Sequence, residues 1–330
     1  MEDNENIPTG TGRQHNPDRF PHHVISHPRS YLRNRPMEQI VVLITGCSSG
    51  IGLSLAVRLA SDPAKTYKVY ATMRNLAKKE RLLDCVKGLH KDTLEILQMD
   101  VTDQQSILDA RHRVTENRMD ILVCNAGVGL MGPLEAQALD TMRQILEVNV
   151  LGTISTIQAF LPGMKARGHG RILVTGSLGG LQGLPFNEVY CASKFAVEGV
   201  CESLAVLLQH FNIHVSLVEC GPVNTDFLDN LQTAKPGEAA LQRVDEHTRS
   251  LYHTYLKHCG MVFQNAAQDT DDVVKIFLEA IQSASPAFRY YSSDALLPLT
   301  SPKISAPDGL QYIRTMSKII FSTNEKEEQK

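Results

Sequence analysis

A tyrosine and a lysine lie four residues apart in the segment Y-C-A-S-K, at Tyr190 and Lys194. If the segment is helical, this spacing places both side chains on one face. A phenol has an unperturbed pKa of about 10, and a neighbouring ammonium group favours the phenolate and lowers that pKa. The pair therefore predicts a proton donor for a carbonyl oxygen that gains charge as hydride is added. An exposed helix face would carry the same spacing, so the prediction depends on the surrounding motifs.

Two further polar residues extend this pair. Ser177 ends the apolar run R-I-L-V-T-G-S, where its hydroxyl can bond the same carbonyl oxygen. Asn149 lies inside an apolar helical run, where a buried polar group needs a partner. We interpret Asn149 as the holder of a water that relays protons to Lys194. The predicted catalytic residues are Asn149, Ser177, Tyr190 and Lys194.

A glycine-rich segment, T-G-C-S-S-G-I-G at residues 45–52, joins an apolar run to a helical pattern. A dinucleotide pyrophosphate needs free backbone N–H groups, a close approach without Cβ, and a helix N-terminus aimed at its charge. Three glycines with two serines meet these needs, whereas one or two glycines alone would indicate an ordinary turn. The predicted cofactor contacts here are Gly46, Ser48, Ser49, Gly50, Ile51 and Gly52.

The end of the second predicted strand, K-V-Y-A-T-M-R-N, contains no acidic residue that could hold the ribose hydroxyls of NAD. Arg74 occupies this region, and a guanidinium matches the 2′-phosphate of NADP through charge-assisted bonds worth about 1.5–3 kcal/mol each. The sequence therefore favours NADPH/NADP over NAD. Solvation of the next helix by Arg74 is the alternative.

Further cofactor contacts are predicted where later strands end. Asp100 can accept from the adenine amine, and the N-A-G turn lets the backbone pass close to the adenosine ribose. Thr225 can bond the nicotinamide carboxamide. Aspartate and Asn-Gly are common in turns, so one such motif alone does not indicate a cofactor site. Together, at successive strand ends, these motifs do indicate one. The predicted contacts are Asp100, Val101, Asn125, Ala126, Gly127, Val223 and Thr225, together with Tyr190 and Lys194.

The elements that must position these residues alternate along the chain. Strands are predicted at 40–45, 68–71, 94–99, 121–124, 171–175 and 214–219, and helices at 51–60, 75–89, 104–116, 139–164 and 189–211. Such alternation builds a parallel sheet with helices on both faces. The fold class is α/β, a single doubly wound parallel-sheet Rossmann domain, in which ligands bind beyond the carboxyl ends of the strands.

Composition narrows the class of protein. A net charge of −3 gives no reason to expect nucleic acid as a partner. Seven scattered cysteines form no metal-binding spacing, which indicates a reduced intracellular protein without a metal. No stretch reaches the ~18 apolar residues of a spanning helix, and no signal peptide is evident.

Domain boundaries follow from local composition. Residues 1–38 are rich in Asn, His, Pro and Arg, and we expect a disordered extension. The Rossmann domain is predicted over 39–323 and a charged tail over 324–330. Within the domain, about fifty residues at 226–268 lack a sheet pattern, and 251–263 mix tyrosine, leucine, methionine and phenylalanine. This segment predicts an apolar lid over an apolar ligand, with ordinary packing of an extra helix as the alternative.

The glycine loop, N-A-G, Asn149, Ser177 and Y-x-x-x-K together resemble the classical short-chain dehydrogenase/reductase family over about residues 39–226. Within that family, stretches such as G-L-P-F-N-E-V-Y-C-A-S-K-F-A are most similar to the steroid 17β-dehydrogenase branch, and next to the photoreceptor retinol dehydrogenases. The resemblance implies NADPH-dependent, reversible reduction of the 17-keto group of estrone to estradiol in a cytoplasmic homodimer. All-trans-retinal reduction is the alternative within the class, and a non-catalytic dinucleotide-binding regulator is the alternative outside it.

The same resemblance implies the substrate contacts Ser177, Leu184, Pro185, Asn187, Tyr190, His258 and Phe263, and Tyr255 joins them because it shares a helical face with His258. His258 would lie at the far hydroxyl of a steroid, or else be a solvated helix histidine. The acidic residue that partners this histidine in the steroid branch is replaced here by Ile319, which cannot accept a hydrogen bond. Estrogen, androgen and retinoid substrates therefore stay open at this point.

Overall fold

Parallel β-strands form a single sheet in the order β3-β2-β1-β4-β5-β6-β7, and each strand pairs in parallel with its neighbours. This computed structural model describes residues 38–87, 92–227, 230–231, 235–293, 303 and 309–321. The strands are β1 (Ile40–Ile44), β2 (Tyr67–Met73), β3 (Leu94–Gln98), β4 (Ile121–Cys124), β5 (Gly170–Thr175), β6 (Ile213–Glu219) and β7 (Arg289–Tyr291). Because β1 pairs with both β2 and β4, the strand order reverses there, and a ligand crevice opens beyond the carboxyl ends of these strands.

Helices connect the strands and cover the sheet. They are α1 (Gly50–Ala60), α2 (Lys79–Cys85), α3 (Gln104–His112), α4 (Leu139–Leu146), α5 (Gly152–Arg167), α6 (Leu178–Leu181), α7 (Glu188–Leu208), α8 (Glu238–Leu241), α9 (Glu246–Ala266), α10 (Thr270–Gln282) and α11 (Leu310–Phe321). A π-helical turn, Glu147–Leu151, joins α4 to α5.

The central strands are apolar at successive positions because both sheet faces are covered. On one face Leu55 of α1 and Phe277 of α10 pack on the sheet. On the other face the contacts come from Ile107 of α3, Phe160 of α5 and Val197 of α7. Burial of apolar surface on both faces holds the strand ends, and therefore the site, in fixed register.

The predicted doubly wound α/β class is confirmed. The prediction missed β7, because three residues beside proline and serine are too short to show a strand period. It also extended the helix at 104–116 beyond His112, where α3 ends. The predicted helix 75–89 begins with a 3₁₀ turn at Leu76–Lys78 and continues as α2.

The predicted helix 139–164 is interrupted by the π turn and ends later, at Arg167, because Gly168 takes a left-handed φ of +64°. The run Leu139–Arg167 is long and apolar enough, by length and composition alone, to cross a membrane. Core helices pass the same test, and here Ile157, Phe160 and Met164 are buried in the cluster beside the sheet.

The described residues from Gln39 onward belong to one compact unit. Residues 1–37 of the extension predicted over 1–38, and the tail predicted over 324–330, lie outside the described residues. Within the predicted lid at 226–268 the chain forms α8 and α9.

Candidate active site

The glycine loop after β1 requires glycine at three positions for different reasons. Gly46 and Gly50 have φ angles of +74° and +59°, which other residues rarely adopt. A Cβ on Gly46 would lie 2.9 Å from Ala126 Cα, and one on Gly52 would lie 2.4 Å from Asn125 Nδ2. The loop is therefore folded tightly against the N-A-G turn.

The N-A-G turn is tied to the glycine loop by hydrogen bonds. Thr45 Oγ1 accepts from the backbone N–H groups of Asn125 and Ala126, each at 2.9 Å. Asn125 Nδ2 donates to Thr45 O at 3.0 Å, and Asn125 Oδ1 accepts from Thr175 Oγ1 at 3.1 Å. The ends of β1, β4 and β5 are thus held together by one asparagine.

The N-terminus of α1 is suited to an anion. Ser49 precedes the helix in an extended conformation, and its side chain makes no capping hydrogen bond. Ser48, Ser49 and the first turn containing Ile51 therefore present donors and the positive end of the helix dipole. With the close approach that Gly52 allows, these residues fit a dinucleotide pyrophosphate.

The other predicted cofactor residues surround the same crevice. Thr225 Cγ2 lies 3.2 Å from where a Cβ of Gly50 would be, which places Thr225 against the glycine loop. Val223 is buried and bridges to Gln268. Asp100 Oδ1 already accepts from Thr102 N at 3.0 Å and Thr102 Oγ1 at 2.8 Å. Val101 Cγ2 lies 2.8 Å from the Cβ position of Gly152, so Val101 packs on α5.

A cleft beside the glycine loop is lined by Ser48, Ser49, Lys78, Arg81 and Asp226, together with Ala77 and Glu80. Arg81 Nη1 lies 2.6 Å from Asp226 Oδ2, so this ion pair joins α2 to the segment after β6. Arg74 is exposed and does not line this cleft. Lys78 and Arg81 are basic groups that the sequence analysis did not single out.

Tyr190 and Lys194 lie one turn apart in the first half of α7, as their spacing predicted. Lys194 Nζ donates to Thr175 O at 2.9 Å and lies 6.0 Å from the centre of the Tyr190 ring. Ser177 follows β5, and its Oγ accepts from Gly179 N at 3.1 Å, which caps α6. The structure thus brings Ser177, Tyr190 and Lys194 to the carboxyl end of β5.

The electrostatics of Tyr190 differ from the sequence expectation. Burial raises the pKa of Tyr190 well above its ordinary value, and a hydrogen bond with Ser177 lowers it in part. Burial also lowers the pKa of Lys194. The pKa of Tyr190 is therefore not lowered as the sequence predicted, because desolvation disfavours the phenolate. A phenol that keeps its proton suits the role of donor.

Asn149 is buried within the π turn and contacts two other segments. Its Oδ1 accepts from Val128 N at 2.8 Å, while Nδ2 donates to Val128 O and to Ser193 Oγ, each at 2.9 Å. Both amide protons are therefore used by protein, and one Oδ1 lone pair remains for a water. A Cβ on Gly127 would lie 3.5 Å from Asn149 Oδ1 and 3.9 Å from Lys194 Nζ. Both atoms therefore face the same small space beside Gly127.

An apolar cluster lies beyond Tyr190 and is formed by described residues of the lid together with residues outside it. It contains Met131, Phe186, Leu231, Tyr252, Tyr255 and Ile320, with Phe227, Leu251, Leu256, Cys259 and Met316 packed against it. The ring centres of Tyr190 and Phe227 are 5.8 Å apart, so the cluster reaches Tyr190. This arrangement fits an apolar ligand with its reactive group at Tyr190.

Of the remaining substrate residues predicted in the sequence, two contact each other through their side chains. Asn187 and Tyr255 meet, since Asn187 Nδ2 donates to Tyr255 OH at 2.8 Å. His258 is partly buried in α9, and burial lowers its pKa. Ile319 is half exposed on α11, whereas Ile320 beside it is buried in the cluster. Leu184, Pro185 and Phe263 are partly buried.

Comparison with known proteins gives the family. A model of the short chain dehydrogenase family matches residues 40–236. The chain belongs to the short-chain dehydrogenase family. It is an oxidoreductase of that family, and the order of strand-end motifs that carries the site is the one expected for it. Among the described residues, no group of three or more His, Cys, Asp or Glu side chains could hold a metal ion.

The chain is similar to individual members over most of its length. It is 53% identical to human 17-beta-hydroxysteroid dehydrogenase type 1 over 86% of this chain and 87% of that protein. It is 44% identical to bovine retinol dehydrogenase 8 over 85% of this chain and 90% of that protein. A solved short-chain dehydrogenase from Burkholderia phymatum in complex with NAD matches with a TM-score of 0.67 and 22% identity, over 82% of this chain and 94% of that one.

A second solved structure, the closed form of serine dehydrogenase complexed with NADP+, matches with a TM-score of 0.63. It is 25% identical over 76% of this chain and 94% of that chain.

Several residues at the site escaped the sequence analysis. Glu219, which accepts from Ser177 N, and Glu198 are buried acids, and the partly exposed Arg289 pairs with Glu198. An acid at the end of the otherwise apolar run V-S-L-V-E is a signal that a buried charge needs a partner. Its partners could not be found in the same way, because they lie on separate elements.

Proposed function

We propose that this chain reduces the 17-keto group of estrone to estradiol, reversibly, with NADPH/NADP as its cofactor. The observation that carries this proposal is the 53% identity to human 17-beta-hydroxysteroid dehydrogenase type 1 over 86% of the chain. The site geometry agrees with it, since a partly buried phenol at the end of an apolar cluster suits a ketone on a largely apolar body. When bound, the cofactor supplies the hydride.

The chain's own residues would move the proton. Tyr190 donates its phenolic proton to the ketone oxygen, and Ser177 donates a second hydrogen bond to the same oxygen. Lys194 provides positive charge one helical turn away and restores the proton to Tyr190. A water held between Asn149 Oδ1 and Lys194 Nζ, in the space beside Gly127, completes the relay to solvent.

NADPH preference is supported by the positive charge around the crevice. Arg74 follows β2, where dinucleotide enzymes read the adenosine ribose. Lys78 and Arg81 line the neighbouring cleft with Ser48 and Ser49. A 2′-phosphate would gain charge-assisted hydrogen bonds from these groups, whereas no acidic side chain ends β2 to favour the free hydroxyls of NAD. NAD is the weaker alternative.

The residues expected at the far end of the substrate support an apolar ligand in general more than they support estrone. Only partly buried His258 would face a phenolic hydroxyl, and Ile319 supplies no acceptor. These features favour all-trans-retinal as a second candidate substrate, and the 44% identity to bovine retinol dehydrogenase 8 agrees. A non-catalytic dinucleotide-binding regulator is the third candidate.

We further propose a homodimer located in the cytoplasm. Large apolar residues are exposed on the outer helices, and a second copy of the chain would cover them. They are Leu139, Leu146, Leu151, Val206 and Leu207. Light scattering of the purified protein tests the dimer, and a monomer at micromolar concentration would contradict it. Fractionation of expressing cells tests the location, and recovery in the membrane pellet would contradict it.

The decisive experiment is steady-state turnover of estrone, androstenedione and all-trans-retinal with NADPH and with NADH. We expect estrone with NADPH to have the highest kcat/KM, and faster turnover of retinal would transfer the assignment to it. Tyr190→Phe should lower kcat by at least about 10²-fold, because it removes the proton donor. Tyr67→Phe, at the opposite end of β2 from the site, is the control and should keep full activity. Tight NADPH binding without turnover of any ketone would support the regulator instead.

A further inference from the structure

Glu219 ends β6 directly beneath the catalytic serine. Its side chain is fully buried, and Oε2 accepts from Ser177 N at 3.0 Å. Gly176 makes room for this carboxyl group, because a Cβ there would lie 2.4 Å from Glu219 Oε2. An acidic side chain is therefore built into the floor of the site.

A second buried carboxyl group faces the first. Glu198 lies on α7, 7% exposed, and its Oε2 accepts from Arg289 Nε at 3.1 Å and Nη2 at 2.7 Å. The other oxygen of each acid, Oε1, is buried and receives no donor from the residues that the structure describes. Glu198 acts on the Glu219 carboxyl group and raises its pKa, and the two groups can form a hydrogen bond only if one of them carries a proton.

The charges determine which acid holds that proton. Arg289 already neutralises Glu198 through two N–H groups, whereas Glu219 receives only one neutral backbone N–H. Two ionised carboxylates in contact away from water would be strongly unfavourable. Burial, and then Glu198, raise the pKa of Glu219 to about 9. Both unpartnered oxygens are satisfied if Glu219 Oε1–H donates to Glu198 Oε1.

We propose that Glu219 is a protonated carboxylic acid and a positioning residue for Ser177. Its carbonyl oxygen fixes the Ser177 backbone, while its hydroxyl is anchored through Glu198 and Arg289 to α7 and β7. The proton also keeps the floor of the site neutral next to Tyr190 and Lys194. If Glu219 lost this proton, its negative charge would raise the pKa values of both groups and weaken Tyr190 as a donor.

Other titratable groups near Glu219 do not replace this role. Cys220 follows it on the same segment, and Cys201 faces it from α7. Burial raises the pKa of each thiol to about 12, so both stay neutral where Glu219 titrates. Glu202 lies 3.6 Å from Arg289 but is 67% exposed, and water screens its charge.

Infrared spectroscopy of the intact protein at pH 7 tests the protonation state directly. We expect the carbonyl stretch of a protonated carboxylic acid in the wild type, its loss in Glu219→Gln, and its retention in the control Glu202→Gln. Identical spectra for the wild type and Glu219→Gln would overturn the proposal. This measurement does not depend on turnover, so it stands even if the proposed ketone reduction is wrong.

The positioning role rests on the proposed function and is tested by activity. Glu198→Gln removes the carboxylate that pairs with Arg289. The new amide can donate N–H groups to Glu219, so Glu219 should ionise at neutral pH. We expect kcat to fall on the order of tenfold, the effect of about one pKa unit on the donor. Adding Glu219→Gln, which mimics the protonated acid, should restore most of that loss. Glu202→Gln should have no effect on kcat. A double variant no more active than Glu198→Gln would refute the role of Glu219.

Discussion

Gly127→Ala tests the proposed proton relay, because the substitution should lower activity without lowering the stability of the fold. The new methyl group would lie 3.5 Å from Asn149 Oδ1 and 3.9 Å from Lys194 Nζ, which are ordinary contact distances. Gly127 has no left-handed φ, so alanine fits its backbone. Alanine at a compatible position changes stability by about 0.4–1 kcal/mol, usually favourably. The fold should therefore tolerate the substitution.

Activity should respond differently, because the methyl group occupies the space in which the relay water would lie. Loss of a positioned proton-transfer group typically lowers rates by about 10²–10⁴-fold. We expect kcat to fall by at least about 10²-fold at saturating NADPH, while the melting temperature stays within a few degrees of wild type. Fluorescence titration with NADPH should show whether cofactor affinity is kept.

Gly52→Ala is the matched contrast, since it adds the same methyl group where there is no room. A Cβ there would lie 2.4 Å from Asn125 Nδ2 and 2.6 Å from Gly46 O. Overpacking costs about 1–3 kcal/mol, and disturbing the Asn125 hydrogen bond adds about 1 kcal/mol. This variant should lose both stability and NADPH affinity. Unchanged kcat in Gly127→Ala, with NADPH still bound, would refute the relay beside Gly127.

Three further predictions follow from the charged and apolar groups of the site. Arg74→Ala should lower kcat/KM with NADPH by about 10-fold or more, since one charge-assisted bond is worth about 1.5–3 kcal/mol, and should leave kcat/KM with NADH nearly unchanged. Parallel kinetics with both cofactors measures this difference, and equal losses with both would contradict the prediction. Ile319→Glu should raise the ratio of estrone to retinal turnover through a partner for His258, and competition assays that show no shift would exclude that pairing. Glu219 has a folded pKa of about 9 against 4.5 ordinarily, so its stabilising contribution is complete below about pH 4.5 and is lost as pH rises to about 9. Urea unfolding should therefore show the wild type losing about 1.36 kcal/mol per pH unit relative to Glu219→Gln across that window, and parallel pH profiles would contradict it.

The sequence predicted the fold class because its signals are local. Apolar runs such as V-V-L-I-T and a glycine loop at the strand–helix junction indicate an element without knowledge of its neighbours. The short strand β7 gave no such signal, since its three residues take their conformation from pairing with β6. The π turn around Asn149 was equally invisible, because its apolar pattern continues that of the helices on either side.

The residue types of the candidate catalytic site, and their order along the chain, could be proposed from the sequence. Tyr190 and Lys194 are placed by helical spacing, and Ser177 by the end of its strand. Their electrostatic state was not evident. The sequence suggested that Lys194 lowers the pKa of Tyr190, whereas enclosure by the surrounding elements raises it.

The sequence by itself therefore determined the fold class, the family and the residues capable of the chemistry, since spacing and local pattern carry that information. Only the tertiary structure decided how those residues are held. It paired Glu219 with Glu198 and Arg289, placed Gly127 between Asn149 and Lys194, and turned Ile319 outward. Burial and long-range contact between separate elements set these features, and neither can be read from residues that are neighbours along the chain.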